Sequence, residues 1–425
     1  MQDYYDGNTD AMKNYQMINN RANYKVPYNF IQKFILQESS YVCGNKITYT
    51  SNSNNSTITD AIRNNIRHWK ETHDKEWLKQ ALLFKESYEL HFINGDGLFS
   101  SIICTPLDSY ILQDDFGNIE LFIRFFKKKF DDVTLYADVY SDIDIAHYTV
   151  INTTFTPIAN MPVDENVFGK VPLSIVKIGK KSETLFNNLK GLQDAYEVTL
   201  SNNVNELCDF RNAYLLLTGC SIDDKTKDEN DLTDIDKMKS KGVLNLTEKD
   251  SDAKWLIKNI NDVANKNTLQ NIKDGLYEIS SHFNFNDKLA SNTSSLALKN
   301  QLIDLEQKCT HDIQSMEDGI KSRIKFLFLY LYKRSGLQYN WLDVDIKFSP
   351  NIPSDDLMMA NIISQLNGKL SIKTGLKQLS FVDNVDNEIK ELEKENQATS
   401  IGNDLLNNAR TSTINNGGDN NGQAV

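Results

Sequence analysis

From Glu183 to Thr218, apolar positions recur at Leu185, Leu189, Leu192, Tyr196, Leu200, Val204, Leu207 and Tyr214, with Arg211 the one polar interruption. Steps of three and four keep these side chains on one face of a single helix. Roughly 36 residues at 1.5 Å each make a rod of about 54 Å, well beyond an ordinary helix. Gly219 stands where a C-terminal cap is expected. A second stripe, Leu256, Ile260, Val263, Ile272, Leu276 and Ile279, predicts a helix from Ala253 to Ser281. A third helix is predicted from Leu296 to Arg334, with Gly319 as its kink. Stripes this long are more than one chain is expected to bury. Leu189, Tyr196, Leu200, Leu207, Tyr214, Ile260, Ile272 and Leu276 are therefore assigned to contacts with neighbouring subunits.

The chain before these helices has mixed character. A helix is predicted in "VPYNFIQKFILQESSYVCG", and "SYELHFINGDGLFSSIICTP" reads as two strands joined across Asn94-Gly95-Asp96-Gly97. "IELFIRFFKKKF" and "VTLYADVYSD" continue the strand pattern, and a further strand follows Gly336 in "YNWLDVDIKFSP". The fold class is α+β: a mixed body interrupted by two long helices with a small module between their far ends. The segment after Glu395 is too polar to pack and is expected to be disordered.

A chain of 425 residues calls for more than one module, and its 24% charged content is ordinary for a globular protein. A net charge of −12 argues against a protein that grips nucleic acid through a basic face. The five cysteines show no C-x₂-C pair, so neither a zinc site nor a disulfide framework is indicated, and a reducing compartment is expected. The run "FLFLYLY" is too short to span a bilayer, no membrane association is expected, and "MQDYYDGNTD" does not read as a signal peptide. His68 and His73 lack a third ligand nearby and read as a solvated helical face. Asp343 and Asp345 alternate with Val344 and Ile346, the pattern of a half-buried strand. The acidic run Asp223 to Asp236 lacks the glycine and spacing of a calcium loop, and Lys127 to Lys129 read as a strand end or surface turn. No nucleophile, metalloprotease or phosphate-loop motif is present. The expectation is a protein without enzymatic activity or cofactor. From the residues alone, a helical ring or filament adaptor also fits, and so, more remotely, does an enzyme acting on nucleic acid.

The order of several short texts resembles one family. "YYDG" at Tyr4, Asn29 before a helix, "YVCGNKI", "SYELHFINGDG" leading to "TPLDSYILQDD", "LKGLQDAYEVTLSNNVNELCDFRNAYLLLTG", "SSLALK" and "QLNGKLSIKTGLKQLSFVDNVDNEIKELEKE" are similar, in that order, to portal proteins of tailed bacteriophages. The branch is that of long-tailed phages of Gram-positive hosts. Lys85 and Glu86 depart from the pattern, standing where relatives often carry glycine. The resemblance implies a wing over residues 1–182, a descending stem helix over 183–219, a clip over 220–252 and an ascending stem helix over 253–281. It further implies a tunnel loop over 282–293, a long helix and wing strand over 294–352, a crown over 353–395 and a tail over 396–425. The implied assembly is a ring, usually of twelve subunits, at one capsid vertex of the virion, put together in the host cytoplasm. Its implied partners are double-stranded DNA passing through, the terminase large subunit, the major capsid and scaffolding proteins, and a head–tail connector protein. Within the tunnel loop, Asn284, Asn286, Lys288, Ser291 and Asn292 can touch phosphates without reading bases.

Overall fold

The computed structural model describes residues 1–16, 22–159, 161–179, 184–209, 214–218, 233, 251–256, 262–284 and 295–350, with short stretches between 363 and 396. Two short helices, α1 (Gln2–Tyr5) and α2 (Asp10–Lys13), precede α3 (Phe30–Cys43), which starts where the Asn29 side chain accepts a hydrogen bond from the Gln32 N–H. Strand β1 (Thr48–Ser51) leads into α4 (Ser56–Ile66) and α5 (His73–Phe84). Lys85 closes α5 at φ +73°, a left-handed position that glycine occupies more cheaply.

Next come β2 (Glu86–Ile93) and β3 (Phe99–Cys104), paired from Tyr88↔Cys104 to Ile93↔Phe99. The Asn94 side chain accepts from the Asp96 and Leu98 N–H groups, and Gly97 supplies the positive φ of the turn. Then follow β4 (Ser109–Gln113), β5 (Ile119–Lys128), β6 (Asp131–Tyr140), β7 (Asp144–Ile151), β8 (Thr154–Pro157), β9 (Asp164–Glu165) and β10 (Leu173–Lys177). β10, β2 and β3 form one sheet; β4 to β8 form a meander in chain order, with β9 against β7.

The two faces of the meander differ. On one, Ile111, Phe122, Tyr140 and Ile145 pack with Tyr88, Leu90, Cys104 and Leu173 of the three-stranded sheet. Beyond that row the same face carries Arg124, Asp138 and His147 side by side. The opposite face is a set of cross-strand rows: Tyr110–Ile123–Val139–Ala146, then Phe125–Ala137–Tyr148–Pro157, then Leu135–Val150–Phe155. No charged residue interrupts those rows. Its aromatic contacts, Phe155 with Phe125 and with Tyr148, stay within the sheet.

The long helices come last. α6 spans Leu185–Asp209, short of the predicted end at Thr218. Tyr214–Thr218 is instead a strand, β11, paired antiparallel with β12 (Asp252–Leu256). A run of β-branched or aliphatic residues such as "YLLLT" fits a strand as well as a helical stripe, and pairing with a second apolar segment decides it. The ascending helix α7 accordingly starts at Asp262 rather than Ala253, and ends at Ser280. α8 runs unbroken from Ser295 to Ser335 through Gly319. Rather than a break, that glycine provides space: a Cβ there would stand 2.6 Å from Val176 Cγ2 and 2.8 Å from Trp77 Cη2. After Gly336 the chain forms β13 (Val344–Lys347), antiparallel to β1, with Val344 and Ile346 buried and Asp345 outward.

The chain divides into two units. The first holds Met1–Ala290 and Asn300–Asn351 and contains all the strands named above. The second comprises Ser291–Lys299 and Ile352–Val425; its described part includes α9 (Ile372–Leu376), where Gly375 lies against Ile363. Residue 219, residues 220–232 and 234–250 of the expected clip, most of the expected crown and the tail from 397 onward lie outside the described residues.

Candidate assembly stem and the root of the channel loop

Stripe residues of α6 and α7 close a core with α3 in the same chain. Leu189 and Leu276 are fully buried, and Tyr196 and Tyr277 nearly so, around Phe30 and Phe34. Leu185, Leu192, Leu200, Leu269 and Ile272 pack against them. This corrects the expectation that only neighbouring subunits could cover the stripes: α3 supplies the aromatic wedge. Burying each such side chain contributes roughly 1.5–3 kcal/mol. Farther from the body the helices are bare, with Leu207 63% and Val263 69% exposed. Tyr214 lies on β11 rather than on the helix, and Ile260 lies outside the described residues.

A second stripe on α6 is polar and buried. Gln193, Glu197, Ser201 and Asn205 recur every four residues and are almost without solvent contact. The extended segment before α3 lies along them. The N–H groups of Tyr24, Val26, Tyr28 and Phe30 donate in turn to Asn205, Ser201, Glu197 and Gln193, at 2.7, 3.0, 3.0 and 3.3 Å. The match is geometric: two residues of extended chain advance about 6.6 Å and four residues of helix about 6.0 Å. Gln193 and Asn205 also donate back to the Tyr28 and Tyr24 carbonyls. Farther forward, the Tyr4 hydroxyl donates to Asp194 at 2.9 Å, and the Thr9 hydroxyl donates to Glu197. The described residues of the N-terminal segment are therefore fastened to α6. A search for apolar periodicity misses it; the Gln-x₃-Glu-x₃-Ser-x₃-Asn spacing was its available signal.

At the other end of α7 the expected channel loop begins inside the protein. His282, Phe283 and Asn284 are all buried. His282 stacks on Phe34, and its ring nitrogens lie 2.8 Å from the Ser280 carbonyl and 3.0 Å from the Phe34 carbonyl. Glu38, wholly buried on α3, faces His282 at 3.1 Å and pairs with Lys308 of α8. Burial alone would raise the Glu38 carboxyl, but Lys308 and His282 outweigh it and hold it below its ordinary value. Asp312, one turn along α8, feels Lys308 too, but less than it feels its burial and Glu38. Burial, and then the Glu38 charge, push its carboxyl up to about 8. A cavity of about 370 Å³ opens beside Glu38, Lys308 and Asp312. Asn284, expected to face DNA, is thus turned into the protein at 4% exposure: it belongs to the root that anchors the loop. Asn286, Lys288, Ser291 and Asn292 lie outside the described residues.

α8 is held to the body by a second buried charge network. Arg323 lies between the Trp69 and Trp77 rings, 5.1 and 4.9 Å from their centroids, and donates from Nε to Glu89 at 2.8 Å. Its Nη2 reaches Asp74 at 2.7 Å. Glu89 also accepts from the Ser101 hydroxyl and meets His73 Nε2 at 2.7 Å. Burial would raise Glu89, yet Arg323 and the two imidazoles hold it well below the usual carboxylate range. Burial takes His91 down to about 4. His73, expected on a solvated face, is instead half-buried against Glu89, whereas His68 is exposed as expected, with Nε2 by the Ser100 hydroxyl. Among the described residues no group of three or more His, Cys, Asp or Glu is arranged to hold a metal ion, and no helix is long and apolar enough to cross a membrane.

The chain is similar to chains of three solved structures. One, from the virion of a native gene transfer agent particle, has a TM-score of 0.48 and 11% identity, covering 81% of this chain and 87% of the other. A neck of an empty particle of that kind, computed with C6 symmetry, gives 0.48 and 10%, with the same coverage. A neck of the native particle, computed with C12 symmetry, gives 0.43 and 12%, covering 82% and 88%. Among curated protein sequences none matches this chain. The family model for phage portal proteins of the SPP1 Gp6-like type matches residues 1–401, nearly the whole chain, and the chain belongs to that family.

Proposed function

We propose that the protein is the subunit of a portal ring, usually of twelve copies, at one capsid vertex of a virion assembled in a bacterial cytoplasm. The observation that carries this reading is the family match across residues 1–401. The exposed outer stem, Leu207 and Val263, agrees with it, because neighbouring subunits would cover such side chains. In this reading the ring is the passage for double-stranded DNA during packaging and ejection, and its acidic chains repel phosphate rather than grip it. The ring itself is non-enzymatic, and force comes from a terminase large subunit docked on it. Scaffolding and major capsid proteins hold it during assembly, and a head–tail connector protein binds later. Lys288, with Asn286, Ser291 and Asn292, steadies the DNA from the loop beyond the His282 root.

Negative-stain images of the purified protein test the ring directly; a monodisperse monomer would overturn it. A loop shortened between residues 285 and 293, still able to join the helices, should give normal rings and capsids with little retained DNA. Lys288→Glu should act in the same direction and more weakly, since one charge per subunit is screened. Full-length DNA in particles carrying the loop deletion would remove the loop assignment and leave the ring reading standing.

A further inference from the structure

An antiparallel sheet with one solvated face shows polar residues on that face; a sheet apolar on both faces is one that is covered on both. The meander β4–β8 keeps its charged row, Arg124–Asp138–His147, on the side of the three-stranded sheet, and the rows named above on its other side are uncharged. Its core-facing side is already occupied by the three-stranded sheet. The opposite side presents three uncharged rows, with Tyr110 58% and Phe155 39% exposed in the single chain, and Leu112, beside Leu121 at the rim of that face, 43% exposed. Strands about 4.8 Å apart and side-chain rows about 6.8 Å apart give this face on the order of 400 Å². That is about half of what one partner contributes to a stable two-body interface. It is too little to hold a pair of subunits alone, and it suits one zone of a larger contact that also uses the stem.

The charge around the face points to the occupant. Its β5–β6 end carries Lys127, Lys128 and Lys129, followed by Phe130 at 92% exposure and a positive φ of 71°. A non-glycine residue held in that conformation at an exposed tip is strained, and the Phe130 ring stays exposed with Lys129 over it, while Lys128 lies over the Tyr136 ring. A second copy of a chain with net charge −12 attracts such a basic end. We infer that the apolar face of the meander, with its basic hairpin end, packs on the adjacent copy of this chain. The inference rests on the ring reading and names the surface through which the bodies of neighbouring subunits touch.

The test introduces charge at the rim of the face and, separately, identifies what lies on it. Leu112→Lys with Phe155→Lys should raise the subunit concentration for half-assembly by about tenfold or more, while circular dichroism of the dissociated subunit stays unchanged. Should that variant not fold, the second arm decides: a photo-crosslinking amino acid in place of Phe155 in otherwise wild-type protein. Purified rings should yield a crosslink from position 155 to a second copy, located by mass spectrometry. Intact rings with no such crosslink, or a crosslink in procapsids only to a capsid or scaffolding protein, would overturn the inference and leave the ring intact. Wild-type protein that forms no ring would overturn the ring reading itself.

Discussion

At Gly319 two effects with opposite signs meet. Alanine gains about 1 kcal/mol of helix propensity over glycine. Its methyl group would also press on Val176 and the Trp77 ring, both fully buried. Overpacking of that kind costs about 1–3 kcal/mol. Gly319→Ala should therefore lower the urea midpoint, and a raised midpoint would show that Trp77 can move aside. The buried titrating groups also oppose one another. Asp312, raised to about 8, stabilises the fold at low pH and loses that contribution as pH climbs through 8. His91, lowered to about 4 from 6.5, does the reverse: its contribution is full above 6.5 and is lost as pH falls toward 4. Glu89, held below its ordinary value, adds to the acid loss at still lower pH. Wild-type protein should thus weaken between pH 6 and 8, and Asp312→Asn should abolish that slope while leaving a decline from pH 6.5 to 4. Parallel urea midpoints for the two proteins at pH 4.5, 6.5 and 9 would refute the assignment.

Among the elements, α6 separates folding from the proposed assembly. Leu200 packs on the α3–α6–α7 core, whereas Leu207, two turns on, is 63% exposed. Leu200→Asp should destabilise the subunit by several kcal/mol, because a charge would enter a packed interior. Leu207→Asp should leave the melting temperature of the subunit unchanged and reduce ring formation. Size-exclusion chromatography and thermal melts of the two variants distinguish these effects, and normal rings from Leu207→Asp would detach that position from the contact. The same element shows how far the text could be read. The existence of α6, α7 and α8, the β2–β3 hairpin and the strand after Gly336 follow from periodicity and turn chemistry, which are local. The end of α6 was misjudged because "YLLLT" suits either period, and only its distant partner Asp252–Leu256 makes it a strand. The Lys85 departure from a glycine pattern was visible, but its meaning, a left-handed cap, needs the backbone. The root at His282 and the networks around Glu38 and Arg323 join residues far apart in sequence, and one-dimensional spacing carries no signal for them.

For the whole molecule, the polar tail after Glu395 offers little to bury, so a chain truncated there should assemble as the full chain does. Lost rings from the truncated protein, seen by negative stain, would show that the tail packs. A consequence of another kind follows from the ladder on α6. Tyr28 meets Glu197 across 169 residues, and Tyr24 meets Asn205 across 181. At about 5–20 residues per second of synthesis, the extended segment leaves the ribosome roughly 10–40 s before its helix exists. Throughout that interval its backbone donors are open to any acceptor in the cell. The packing of this segment on α6 can be completed only after translation has passed that helix, so in the proposed ring a growing chain would carry its own delay against premature assembly.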